Sequence, residues 1–306
     1  MGYLLTLPVR VLLWILQHLP LIGVVRLGRA GGEMAWWLLG RHRRIALANL
    51  TAAFGTELAP KEIRVLAREN FRRLGENYAS AVHTAALTSD QLDSVLEVVG
   101  ADSLPIPTEK GVNLVIALGH FGNFELYARI AHRLHGWKIA TTYRALRPPA
   151  LNALLVALRA RSGSRYFERT SEARALREYL LGGGVILGLL ADQHGGAKGL
   201  WLPFFGRPCS TNPAPAVLAQ RYRATLQTAF CYRIAPGRWR IEFGPPIPTF
   251  EADGTARASA DIMQTVNLAF ETAIRRDPAN WFWVHRRWKP PTDHQRGTTK
   301  TGFAVE

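Results

Sequence analysis

The sequence predicts an α/β fold, an α/β/α sandwich with a mixed sheet, preceded by an N-terminal helical segment suited to anchoring on a membrane. Three observations carry that prediction. Short apolar runs alternate with helical stretches through the later part of the chain. The first 25 residues are strongly apolar and clustered arginines follow them. One strand-like run leads straight into Gly119-His120-Phe121-Gly122-Asn123-Phe124-Glu125.

The N-terminal stretch YLLTLPVRVLLWILQHLPLIGVV, residues 3–25, is interrupted by Arg10, Gln17 and His18 and broken near its end by Pro20. A clean transmembrane helix needs about 20 largely apolar residues, and the run without a formal charge, 11–25, is shorter. Thr6, Arg10 and Gln17 fall near one stripe of a helix, as expected of a helix lying in the membrane plane. Arg26, Arg29, Arg41, Arg43 and Arg44 come next and, with Trp36 and Trp37, place the remainder on the cytoplasmic side of a membrane. A compact cationic start and a small-residue cleavage site are both missing, which argues against a cleaved signal peptide.

Pro60 then opens KEIRVLARENFRRLGENYASAVHTA, where Ile63, Leu66, Phe71 and Leu74 recur at roughly helical spacing and predict a long amphipathic helix. Strands are predicted at 112–118, 138–143, 185–190, 226–233 and 239–243. Helices are expected to begin near Asn123, Ala150, Ser171 and Asn212, with a last long one across 258–276 ended by Asp277-Pro278. This order implies a sheet that is mostly parallel early and antiparallel late. The division expected is a helical, membrane-anchoring segment over 1–90, an α/β body over 91–290 and a polar, disordered tail over 291–306.

Composition bounds the function. With 306 residues, 48% of them hydrophobic and 20% charged, the chain is folded and neither fibrous nor disordered. The 38 Lys and Arg against 23 Asp and Glu leave a formal net charge of +15, which calls for an anionic partner: nucleic acid, anionic membrane or phosphorylated substrate. Arginine, whose planar fork matches phosphate and carboxylate, supplies most of it. Cys209 and Cys231 have no metal-ligand spacing and form no disulfide framework, in keeping with a reducing compartment.

The chemistry is expected where the run 112–118 ends. His120 sits at a strand-to-helix turn, where open α/β sheets place ligands because unpaired amides point there. Asn123 is placed to cap the helix. With His120 just outside and Glu125 in the first turns, their side chains can converge, so that the carboxylate orients an imidazole acting as general base. Asp192 and Gln193 follow the run 185–190 and reach the same edge as polar positioning residues. Arg159 and Arg161 end the apolar stretch ALNALLVALRARSG, where they offset a helix dipole or meet phosphate or an oxyanion.

HFGNFE after a hydrophobic strand resembles the H-x4-D/E motif of the lipid A biosynthesis acyltransferase family, the lauroyl and myristoyl transferases related to glycerolipid acyltransferases. The likeness extends through RHRRIALANL, TTYRALRPPALNALLVALRARSG, LADQHGGAKGLWLPFFGRP and WFWVHRRWKPP, nearly the whole chain. It implies a glycerolipid-acyltransferase-like catalytic domain over 91–290, with His120 as general base and Glu125 as its partner. It implies an acyl carrier protein or coenzyme A thioester as donor, the hydroxyl of an anionic glycolipid, a lipid A precursor, as acceptor, and neither metal nor cofactor. Asn123, Arg159, Asp192, Gln193 and Arg286 are the substrate-binding candidates, and the cytoplasmic face of the bacterial inner membrane is the expected location.

Two stretches stay open to more than one reading. HGGAKGLWLPFFGRP suits a flexible wall around a lipid chain and equally ordinary loop packing. WFWVHRRWK interleaves Trp281, Trp283 and Trp288 with His285, Arg286, Arg287 and Lys289, as at a membrane interface or a nucleic-acid patch. The rival functions are therefore a phosphatidylinositol mannoside acyltransferase and, from another class, a basic membrane- or nucleic-acid-binding protein. The second leaves HFGNFE unexplained, so nucleic acid is not expected as a partner.

Overall fold

A computed structural model describes residues 2–107, 112–134 and 136–290, with side chains from Thr6 onward; the tail expected over 291–306 lies outside the described residues. The apolar N-terminus forms two helices, α1 (Gly2–His18) and α2 (Leu21–Leu38), because Pro20 interrupts the chain between them. Among the described residues no helix is long and apolar enough to cross a membrane. Leu12, Trp14, Ile22, Trp37 and Leu38 of these helices are instead exposed, a row that contact with water does not favour.

Helices α3 (Gly40–Phe54) and α4 (Pro60–Thr84) complete the helical segment, α4 starting at the proline that marked it in the sequence. Helix α2 lies against α4 with the backbones almost touching. A Cβ at Gly32 would sit 2.1 Å from the Phe71 carbonyl oxygen, and one at Gly75 2.1 Å from that of Gly28. Beside this seam the fully buried Glu76 accepts hydrogen bonds from Arg29 at 3.3 Å and from Arg233 at 2.6 Å, which ties α2 and α4 to the sheet.

The sheet has seven strands: β1 (Leu96–Val99), β2 (Leu114–Leu118), β3 (Lys138–Tyr143), β4 (Arg165–Glu168), β5 (Val185–Leu190), β8 (Thr225–Ala235) and β9 (Arg238–Phe243), in the order β1-β9-β8-β2-β5-β3-β4. All neighbours are parallel except β8 and β9. The expected change from parallel to antiparallel late in the chain is thus present, confined to one pair. Strands β6 (Leu200–Phe204) and β7 (Arg207–Thr211) form a separate hairpin.

Strand β2 is buried along its length and its alternate residues divide between two cores. Val115 and Ala117 face a core shared with α3, α4, α8 (Ala214–Arg221) and α9 (Ser259–Arg276), while Leu114, Ile116 and Leu118 face a second one built with residues 126–134. Helices α5 (Ser89–Asp93), α6 (Pro149–Ala160) and α7 (Ala173–Leu181) complete the layers. The helix expected from Asn123 is not α-helical. Two 3₁₀ turns, Phe124–Ala128 and Ile130–Arg133, replace it, burying Leu126, Tyr127, Ala128 and Ile130. Four buried positions so close together exceed one helical face, and the Tyr127 hydroxyl pins the segment by donating to the Ala229 carbonyl and accepting from the Cys231 N–H.

Candidate active site

Strands β2 and β5 are parallel neighbours, paired Leu118 to Leu190, so the segments after them emerge at one edge of the sheet. The Ala191 N–H donates to the Leu118 carbonyl at 2.9 Å and brings the two loops together. The His120 ring nitrogen Nδ1 lies 2.8 Å from Asp192 Oδ1, and the His120 backbone N–H donates to Asp192 Oδ2 at 2.7 Å. Trp281 Nε1–H donates to that same Oδ2 at 2.8 Å. Against a carboxylate Nδ1 carries the proton, which leaves the Nε2 lone pair for chemistry. The Gln193 amide is 3.5 Å from Nε2.

Burial of Asp192 would push its carboxyl upward. The His120 charge, the hydrogen bonds from the His120 ring and backbone, and the Trp281 indole outweigh it and hold the group below the usual carboxylate range. The His120 ring packs between Phe124, at 5.0 Å between centroids, and Phe282, at 5.7 Å.

Gly122 makes this turn possible. Its φ of +61° belongs to the left-handed region, and a Cβ there would fall 2.1 Å from the Cys231 carbonyl oxygen. Its N–H donates to the Asn280 carbonyl at 3.0 Å, fastening the His120 loop to the segment that carries Trp281 and Phe282.

The expected pairing of His120 with Glu125 is corrected here. Glu125 takes Arg159 in a two-pronged ion pair, with Nε 3.0 Å and Nη2 2.5 Å from the carboxylate oxygens. Arg159 also lies over the Tyr166 ring at 5.1 Å. The carboxylate on the imidazole is Asp192, because β2–β5 pairing delivers it there while the 3₁₀ turn carries Glu125 toward α6.

Asn123 is buried at the start of the first 3₁₀ turn but makes no side-chain cap; its amide donates to Thr84 Oγ1 at 3.3 Å, since the turn's own Leu126 N–H reaches the Asn123 carbonyl. Arg286 is exposed and lines neither cavity described below. Trp281 and Trp283 are buried, so the interfacial or nucleic-acid reading of WFWVHRRWK does not apply to them. Trp283 packs on Phe54, and Asn49 holds its carbonyl. Phe204 and Phe205 are buried in the core and residues 200–211 form a hairpin, so of the two readings of HGGAKGLWLPFFGRP it is ordinary packing that fits them.

Trp281, Phe282 and Tyr166 were missed as site residues. A tryptophan donating to a carboxylate 89 positions away leaves no local trace in sequence. His285 belongs to the same surroundings. Its Nε2 accepts the His194 N–H at 3.1 Å, and burial pushes the ring down to about 4, with Lys289 and Arg287 adding and Asp192 opposing.

Two cavities adjoin this arrangement. The outer one, about 310 Å³, is bounded by Leu74, Tyr78 and Val82 of α4, Leu155 and Leu158 of α6, and His120, Asn123 and Phe282. The inner one, about 70 Å³, lies against the sheet among Ile116, Leu118, Ile139, Ile186, Gly188 and Leu190 and is mostly apolar, with Thr141, Thr142 and Tyr143 adding polar groups. Phe124, Glu125, Arg159 and Tyr166 border both and form the partition between them. A basic nitrogen thus opens on an apolar cleft that continues toward a narrow chamber, which suits proton removal from a hydroxyl beside an alkyl chain.

Comparison with known proteins finds acyltransferases. A family model described as bacterial lipid A biosynthesis acyltransferase matches residues 2–290. The chain is 26% identical over 282 residues to the lipid A biosynthesis palmitoleoyltransferase of Escherichia coli (strain K12), covering 90% of this chain and 88% of that one. It is 24% identical over 281 residues to the lipid A biosynthesis lauroyltransferase of the same organism, covering 90% and 89%. To the phosphatidylinositol mannoside acyltransferase of Mycobacterium tuberculosis (strain CDC 1551 / Oshkosh) it is 27% identical over 201 residues, 65% of this chain and 61% of the relative.

Proposed function

The chain belongs to the bacterial lipid A biosynthesis acyltransferase family and is an acyltransferase; on that premise we propose that it moves a fatty acyl group from an acyl carrier protein or coenzyme A thioester to a hydroxyl of a lipid A precursor. The observation that carries the proposal is the His120 Nε2 lone pair at the apolar cavity, with Nδ1 held by the buried Asp192.

Nε2 takes the proton of the acceptor hydroxyl while its oxygen attacks the thioester carbonyl. The tetrahedral oxyanion that forms is met by Arg159 Nη1, the guanidinium nitrogen not engaged with Glu125. Collapse breaks the carbon–sulfur bond, and the thiolate recovers the proton from Nε2. Asp192 stabilises the imidazolium between these steps, and Gln193 orients the hydroxyl. The acyl chain runs past the Glu125–Arg159 partition into the inner chamber, which is lined mostly by apolar side chains.

Attachment to the cytoplasmic face of the inner membrane is part of the proposal. The exposed apolar residues of α1 and α2 enter the interface, and Arg26, Arg41, Arg43 and Arg44 meet anionic headgroups. The mannoside acyltransferase relatives support a second acceptor, a mannosylated phosphatidylinositol, on the same machinery.

Purified wild-type and H120A protein, incubated with an acyl thioester and either acceptor, decide the matter by mass spectrometry of the lipids. Transfer to the lipid A precursor by wild type and none by a folded H120A is expected. Wild-type rates in H120A refute His120 as base, and transfer only to the mannoside moves the protein to the second acceptor.

A further inference from the structure

We propose that Gly188 is a specificity-determining residue: its bare backbone is the opening through which the donor's acyl chain passes to the floor of the inner chamber, so that this position sets how long a chain is taken. In the proposed function the acyl chain lies in that chamber, and the role given to Gly188 rests on this. Strand register lays out the sheet side of the chamber in rows. Leu118 of β2 and Leu190 of β5 form the row next to His120. Ile116, Gly188 and Thr141 of β3 form the second, and Ile186 and Ile139 the third, farthest from the catalytic edge. Alternate residues of a strand share a face and each residue rises about 3.3 Å, so the rows stand roughly 6.6 Å apart, the length of about five methylenes in an extended chain.

In the second row the middle strand alone carries no side chain. Glycine is a poor choice for the interior of a buried strand, where it gives up packing and conformational entropy. The backbone does not require it, because Gly188 is not among the left-handed glycines and stays paired with both neighbouring strands. Nor does neighbouring backbone crowd it. A Cβ would come within 2.9 Å of Leu118 Cδ1, the end of a flexible side chain, and the next atoms are 3.9 Å away. What the glycine keeps open is therefore chamber space between Ile116 and Thr141. The Thr141 hydroxyl is satisfied within the sheet, donating to the Gly188 carbonyl at 2.8 Å. A hydrocarbon gains by passing on to Ile186 and Ile139, since each methylene buried there adds to binding. A side chain at position 188 fills the opening and displaces Leu118, another wall of the same chamber.

Wild type, G188A, G188V, I139V and, as a control on the other face of β5, L189V are given an equimolar mixture of saturated acyl thioesters, octanoyl to palmitoyl, with either acceptor named above. The mixture is presented on acyl carrier protein and, separately, on coenzyme A. Mass spectrometry of the acylated lipid reads the relative kcat/KM of each chain length. In G188V the optimum is expected to move to shorter chains, with about a fourfold loss for each methylene that no longer fits, the worth of one buried methylene. G188A should move it the same way by a smaller step, which keeps the test open if G188V does not fold. I139V, which deepens the floor, should favour longer chains, and L189V should change all lengths alike. Melting with saturated fatty acids below their micellar concentrations gives a reading free of turnover: the longest acid that stabilises wild type should stabilise G188A less. An unchanged length profile in G188A, or an equal loss at every length, overturns the role of Gly188 and leaves the acyltransferase reading intact. If wild type transfers no chain, the donor and acceptor assigned above fail, and equal stabilisation of wild type and G188A by every fatty acid then overturns the opening as well.

Discussion

Replacing Asp192 by Asn tests the His120 arrangement with almost no change in volume. The buried carboxylate accepts from three donors: the His120 ring at 2.8 Å, the His120 backbone N–H at 2.7 Å and the Trp281 indole at 2.8 Å. An amide has one acceptor oxygen and one NH₂ group. If the oxygen meets the ring, the NH₂ opposes two donors; if it meets the backbone and the indole, the NH₂ opposes only the ring. The second arrangement leaves fewer clashes, and it drives the imidazole into the tautomer whose Nε2 carries the proton. That nitrogen is then no longer a base.

The lost charge-assisted hydrogen bond costs about 1.5–3 kcal/mol, roughly 10- to 150-fold in rate, and loss of general-base catalysis raises the total to about 10²–10⁴-fold. We expect D192N to lose that much in kcat, with KM little changed and the fold intact by circular dichroism. Initial rates of thioester consumption, matched to acylated lipid by mass spectrometry, measure it. W281F removes one of the three donors and keeps the ring, so a loss of about tenfold is expected there. A D192N enzyme within about threefold of wild type would show that Asp192 neither orients nor charges the base.

Glu76 is fully buried between Arg29 and Arg233; Arg29 also pairs with Glu69, so E76A strands the partly buried Arg233 alone and should lower unfolding free energy by about 3 kcal/mol in urea, and a loss below about 1 kcal/mol refutes the role given to Glu76. Acid should destabilise the protein through His285. The folded ring is held at about 4 and the unfolded ring titrates near its ordinary 6.5, so the unfolded chain takes up the proton first. Stability from this group is whole above the unfolded value and drains away as pH falls toward the folded one; Asp192, held low, loses its share further into acid. Melting temperatures at about pH 7 and about pH 5 should fall in wild type and fall less in H285Q, and identical slopes in the two proteins contradict the assignment.

Local patterns carried the strand runs that became β2, β3, β5, β8 and β9, the helix opened by Pro60, and His120 at a strand's end, because period, breaker and turn residues act over a few positions. Strands β1 and β4 escaped notice because four-residue sheet edges with charged members show too little alternation to stand out. Which carboxylate serves the imidazole was a tertiary decision. Glu125 is five positions from His120 and Asp192 is 72, yet parallel pairing of β2 with β5 puts the distant group on the ring while the 3₁₀ turn hands the near one to Arg159. WFWVHRRWK was ambiguous for the same reason. An indole reads alike at a membrane and in a core, and only the packing of residues 281–283 against β2, α3 and the Asp192 loop selects the core. Spacing along a chain limits what can meet locally, whereas burial and hydrogen bonding over scores of residues depend on how strands are ordered in the sheet, and that order is not written in any one segment.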